Sequence, residues 1–240
     1  AQVPGVAVAA APAELADSLV LPDQEDLRRA WERLIAAKAS SRTEARALGE
    51  LLSRADFRDF FLPAADASGV RRAFRAAVLE RLAALDPDGR EEYELVFGLD
   101  ARRALNEALA TGDVEALGEI HRCYPLARAG VQAAELRAWH LSDSGDPAAA
   151  AALLERLVAS RLVDADAVDR LAQASAVRWA EAGRWDDALR VLALRASVGL
   201  PRRLSLAGRV AELPPLDSAE PRQWLAEVVR RAGLGTLAAD

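Results

Sequence analysis

The stretch "EAGRWDDALRVLALR", residues 181–195, decides the reading of the fold. An apolar helical run ends at Gly183, a second begins with Trp185 and two Asp, and Ala188 follows one turn in. Each residue type has a reason to be there. Glycine ends a helix in the left-handed conformation at lower cost than other residues, acids suit the first turn of a helix, and a small alanine lets two helices approach closely. The same order recurs at "TGDVEAL" (111–117) and "SGDPAAA" (144–150), where Asp113 and Asp146 are placed to cap the second helix and Pro147 fits its first turn. The turn glycines are Gly112, Gly145 and Gly183, spaced 33 and 38 residues apart, which predicts a helical-hairpin repeat.

On these residues the chain resembles tetratricopeptide repeats. In the last pair Ala176 stands at the small position of the first helix, Trp179 at the aromatic one, and Ala188 and Leu192 on the second helix. Ala138, Leu141, Ala150 and Leu154 occupy the same places in the middle pair. Trp185 falls where the repeat carries a bulky packing residue, so packing is favoured over ligand binding. The first unit departs from the pattern, with Leu117 at the small position and His121 and Tyr124 in later core positions. The repeats are therefore degenerate. The resemblance implies an all-α fold, an α-α superhelix built as a TPR-like solenoid of antiparallel helix pairs. Its concave face, formed mainly by the first helices, would suit protein segments.

Residues 89–160 carry a narrower likeness. Tyr93, Gly98, Ala101-Arg102-Arg103, the turn Ala110 to Asp113 and the segment Gly145 to Leu157 resemble the N-terminal helical part of secreted planctomycete quinoprotein-type (PQQ-like) β-propeller repeat proteins. Those motifs concern helix packing, so they imply a fold and no chemistry. The family's propeller would follow, yet the chain reaches "RRAGLGTLAAD" with no series of short strands. No quinone-binding residue carries over.

Composition agrees with a helical protein. The 240 residues are 52% hydrophobic and 28% charged, with 55 Ala and only 5% aromatics, and Ala, Leu, Arg and Glu are strong helix formers. The net charge is −6, with 15 basic against 22 acidic residues in 1–120 and 16 against 15 in 121–240. Neither half offers the concentrated basic surface that nucleic acid requires. A single cysteine, Cys123, excludes an internal disulfide framework and a cysteine metal site. No apolar run reaches the length of a bilayer span. Met is absent, and "AQVPGVAVAAAPAEL" (1–15) is small, uncharged and extended, like a mature N-terminus after removal of a signal peptide. A secreted, periplasmic or cell-envelope location is expected, the rival reading being a trimmed chain.

The predicted organisation is a flexible start (1–21), an N-terminal helical region (22–89) and degenerate repeats (90–240). In the second part, helices are expected over 22–39, with Leu27, Trp31, Leu34 and Ile35 on one face, after the capping box "SRTE" (41–44), and over 68–89 up to Asp86-Pro87. The stretch "FRDFFLPAAD" (57–66) is the most apolar without a period. It is either a helix end folding into the core, which is favoured, or an exposed segment meeting a partner, with Phe57, Phe60 and Phe61 as the candidate interface.

No catalytic, cofactor or metal site stands out. His121 and His140 are the only histidines and neither has a recognised ligand spacing. His121 is expected at the core or its edge, and His140 near a helix end. Cys123 is two residues from His121, so the two face different ways on a helix and form no dyad; a buried spectator thiol is expected. The carboxylates of 25–32, 86–94 and 163–169 fall on solvated turns and helix starts, and "DPDGREE" lacks a calcium-loop pattern. These readings predict a non-catalytic module that binds a partner protein or neighbouring subunit, or docks its own C-terminal propeller. The alternatives are a structural subunit of an envelope assembly and the helical regulatory part of a larger enzyme whose active site lies outside these residues.

Overall fold

The computed structural model describes residues 25–37, 39–53, 61–62, 72–197, 203–206, 209–212 and 221–231. The fold is all-α with little strand. Ten helices are described: α1 (Glu25–Ala36), α2 (Ser41–Ser53), α3 (Phe74–Ala83), α4 (Pro87–Thr111), α5 (Val114–Cys123), α6 (Arg128–Asp143), α7 (Pro147–Ala159), α8 (Ala165–Glu181), α9 (Trp185–Ser197) and α10 (Pro221–Arg231). Two short antiparallel pairs were not expected. Phe61–Leu62 (β1) pairs with Arg72–Ala73 (β2), and Arg203–Leu206 (β3) with Arg209–Glu212 (β4) in the register Leu204↔Ala211 and Leu206↔Arg209.

Short polar side chains set the helix starts. Asp86 Oδ1 accepts from Gly89 N at 2.8 Å ahead of Pro87, so Asp86-Pro87 opens the 25-residue α4. That bond holds the Asp86 carboxyl below its ordinary pKa. Asp164 caps α8 through Ala167 N at 2.7 Å, a job for one of the acids read as a solvated cluster. The predicted box "SRTE" is displaced by one residue. Ser40 takes the capping place, its Oγ 3.4 Å from Thr43 N, while Glu44 pairs with Arg81 of α3. The third helix is shorter than expected, Phe74–Ala83, because Arg72 and Ala73 are extended against β1.

From α5 to α9 each helix packs on the next in sequence, whereas α4 lies against α2, α5 and α6. One core cluster joins α1 to α6 around Leu27, Leu48, Phe74, Tyr93 and Leu105. Trp31 meets Phe74 edge-on with ring centres 5.5 Å apart, but Ile35 is exposed and leaves the expected stripe of α1. A second cluster joins α6, α7 and α8, and a third joins α7 to α10. Arg90 stitches two loops together: its guanidinium donates to the carbonyls of Ala83 (3.0 Å) and Leu85 (3.3 Å) before α4, and of Arg161 (3.0 Å) and Leu162 (3.4 Å) after α7. No described helix is long and apolar enough to cross a membrane.

Candidate functional site

The three turns share one geometry. Gly112, Gly145 and Gly183 have φ of 69, 89 and 73°, in the left-handed region. The next N–H, of Asp113, Asp146 or Arg184, bonds five residues back to the carbonyl of Ala108, Leu141 or Trp179 at 2.8–3.0 Å, closing each helix with the same wrap. Asp113 then accepts from Ala116 N and Asp146 from Ala149 N, starting α5 and α7. In the last turn Arg184 stands at the Asp place and lies over the Trp179 ring, 4.3 Å from its centre.

The small residues singled out from the sequence, Ala138, Ala150, Ala176 and Ala188, are all buried. Ala138 and Ala150 share the middle cluster with Leu154, while Ala176, Trp179 and Ala188 share the last one with Leu192. Trp185 is half-buried against that last cluster. Polar ties that the sequence did not reveal lock these seams. Ser175 is fully buried and donates to the Ala151 carbonyl at 3.0 Å. Glu155 of α7 accepts from Trp179 Nε1 at 3.1 Å and from both Nη atoms of Arg190 on α9. The Arg190 bonds, then that of Trp179, keep the Glu155 carboxyl below its usual pKa.

Ion pairs recur at an interval close to that between the turn glycines. Glu135 pairs with Arg170 and Glu155 with Arg190, each 35 positions on, and Asp186 pairs with Arg222, 36 positions on. Each pair bridges elements two apart (α6 to α8, α7 to α9) or the succeeding pair of described helices (α9 to α10).

The chemistry-bearing residues are separated. His121 sits in the last turn of α5, its Nδ1 3.2 Å from the Gly130 carbonyl, to which it donates. Burial, then the nearby Arg75, pushes its pKa down to about 4, so the ring is neutral at pH 7. His140 lies in the last turn of α6, with Nε2 3.3 Å from Ser144 Oγ. Cys123 is half-buried, not buried as expected, because it closes α5 where the chain turns away to Tyr124. Among the described residues no group of three or more His, Cys, Asp or Glu side chains could hold a metal ion. Of the candidate interface, Phe57 and Phe60 lie outside the described residues. Phe61 is in β1 and 37% exposed, paired with Ala73 and not part of a helix end.

A different surface was missed. The outer face of α4 carries Leu95, Leu99 and Leu109, which are 75, 56 and 51% exposed. Tyr93, Ala101, Leu105 and Ala108, a half-turn away around the same helix, are buried. With exposed Arg102 and Asn106 the outer row reads 95, 99, 102, 106, 109, a strict alternation of four and three. That spacing belongs to a helix seam meeting another helix side by side. The alternation is present in "LVFGLDARRALNEAL", but nothing local in that stretch marks this face as the one left in water.

Comparison of the chain with protein-family models, with curated proteins and with solved structures finds no match.

Proposed function

We propose that the chain is a non-catalytic helical-repeat module that docks a helix of a partner protein along the outer face of α4. The observation that carries this reading is the exposed row Leu95, Leu99, Arg102, Asn106 and Leu109. Three leucines left in water on a helix already anchored by its other side cost solvation that a partner's apolar stripe recovers, at about 25 cal/mol per Å² covered. The two polar positions select the occupant. Arg102 in the seam disfavours a like-charged side chain and suits an acid, and Asn106 favours one register. A partner helix with an apolar seam and an acid opposite Arg102 fits this face. An antiparallel second copy centred on Arg102 would set two guanidinium groups against each other.

The hairpins from α4 to α9 are, in this reading, a right-handed superhelical stack of the tetratricopeptide type. Three turns of one geometry, buried small residues at the seams, and ion pairs 35 and 36 residues apart support it. The rest of the stack gives α4 a rigid support.

A photo-reactive side chain at position 99, and one at exposed Ser144 as control, tests the reading in the native cell. One discrete foreign protein crosslinked from 99, absent from 144 and lost with Leu95→Asp, is expected. Crosslinks only between copies of the chain, or the same products from both positions, overturn it.

A further inference from the structure

A cleft of about 460 Å³ opens between α3, α5, α6 and α7, within the size range of small-ligand sites. Four arginines line it: Arg75 from α3, Arg122 from α5, Arg137 from α6 and Arg156 from α7. Glu115 and Glu119 are the two acids on its wall. Arg122 is held by Glu119, with Nε 2.7 Å from Oε2. Arg137 is only loosely matched, 3.7 Å from a Glu115 side chain that is 87% exposed. Arg156 has no carboxylate within ion-pairing distance among the described residues. The wall thus carries a surplus of two positive charges, and His121 beside it is neutral.

Arg75 sits in the least favourable position. Its Nη2 donates to the Arg122 carbonyl at 3.3 Å, while its buried Nε has no hydrogen-bond partner. Desolvation first, then the charge of Arg122, weakens its hold on the proton. A buried, unmatched guanidinium N–H is costly in any fold, and here three further arginines line the same cleft. The backbone accommodates them: a Cβ at Gly118 would lie 2.3 Å from Arg137 Nη1, so this glycine lets the guanidinium rest against α5.

We infer that this cleft is a phosphate-binding site, with Arg75 at its floor and Arg137 and Arg156 at its rim holding the phosphate group of a small molecule. Planar guanidinium groups match the geometry and double charge of a phosphate monoester or of inorganic phosphate. The surplus of two charges on the wall is what such a dianion cancels. The inference is independent of the α4 surface.

The test is calorimetric titration of the full chain with inorganic phosphate and, separately, with glycerol 3-phosphate, at constant ionic strength in chloride. Saturable binding at one site per chain is expected, weakened about tenfold or more by Arg75→Gln and by the double variant Arg137→Gln/Arg156→Gln, and unchanged by Arg103→Gln, an exposed position of α4 that does not line the cleft. Both substitutions in the double variant fall on rim side chains, so it decides the matter if Arg75→Gln fails to fold. Tighter binding of the ester marks an organic phosphate as the ligand, and equal affinity marks the free ion. Absence of saturable binding of either probe, or equal binding by the double variant and Arg103→Gln, overturns the inference.

Discussion

His121 provides a titration experiment with a definite sign. Its imidazole has an ordinary pKa of 6.5 in the unfolded chain and about 4 in the fold. Burial is the main cause, followed by Arg75 of α3, with Arg137 of α6 and Arg156 of α7 adding to it, while the bond to the Gly130 carbonyl acts in the opposite direction. Below pH 6.5 the unfolded chain takes up a proton that the folded chain refuses until about pH 4. Stability from this group is therefore complete above about pH 6.5 and is lost as the pH falls toward 4. Between pH 7 and pH 4.5 the linkage amounts to about 2 kcal/mol. His121→Asn keeps a donor for the Gly130 carbonyl and removes the titration. Urea unfolding of both proteins at the two pH values, in a phosphate-free buffer, isolates the effect from the carboxylates common to them. The wild type should lose about 2 kcal/mol more than the variant on acidification. Parallel losses, or a proton-NMR titration of His121 near 6.5, would show that the ring is not buried and neutral, and the packing of α5 on α6 described above would be wrong.

Four further outcomes follow from the geometry. Gly145→Ala and Gly183→Ala have open space around the new methyl but a left-handed backbone, so each should lower stability by about 1 kcal/mol in thermal unfolding. Gly130→Ala should be far worse, because its Cβ would fall 1.8 Å from the Tyr124 carbonyl oxygen; a melting temperature equal to that of Gly145→Ala would contradict the fold. Tyr93→Phe removes a buried hydroxyl that has no hydrogen-bond partner while keeping the ring contact with Phe97. It should be neutral or stabilising by up to about 1 kcal/mol, and a clear loss in a denaturant midpoint would reveal a missing partner. Arg90→Lys replaces a fork that reaches four carbonyls by a single ammonium and should cost about 2 kcal/mol, measured as urea stability at pH 7.

Much of the architecture was legible because it is written in local chemistry. Gly112, Gly145 and Gly183 stop helices by a backbone preference of glycine, and Asp113 and Asp146 start them by a hydrogen bond three residues along. Neither needs the rest of the molecule. The capping box at 41–44 slipped by one residue because two adjacent serines compete and a distant arginine, Arg81, claims Glu44. Phe61 was read with its neighbours as a helix end or an exposed partner-facing segment, because its strand pairing with Ala73, twelve residues on, leaves no periodic pattern in the stretch itself.

By itself, then, the sequence determined helix ends, the spacing of the hairpins and the small residues at their seams, all interactions spanning a turn or two. Which face of α4 would stay in water was decided only in three dimensions, because one face carries Tyr93 and Leu105, the other Leu95, Leu99 and Leu109, and the packing of α2, α5 and α6 selects the first. The convergence of Arg75, Arg122, Arg137 and Arg156 on one cleft was likewise set by the crossing of four helices. Those arginines stand up to 81 residues apart, and no local preference links them.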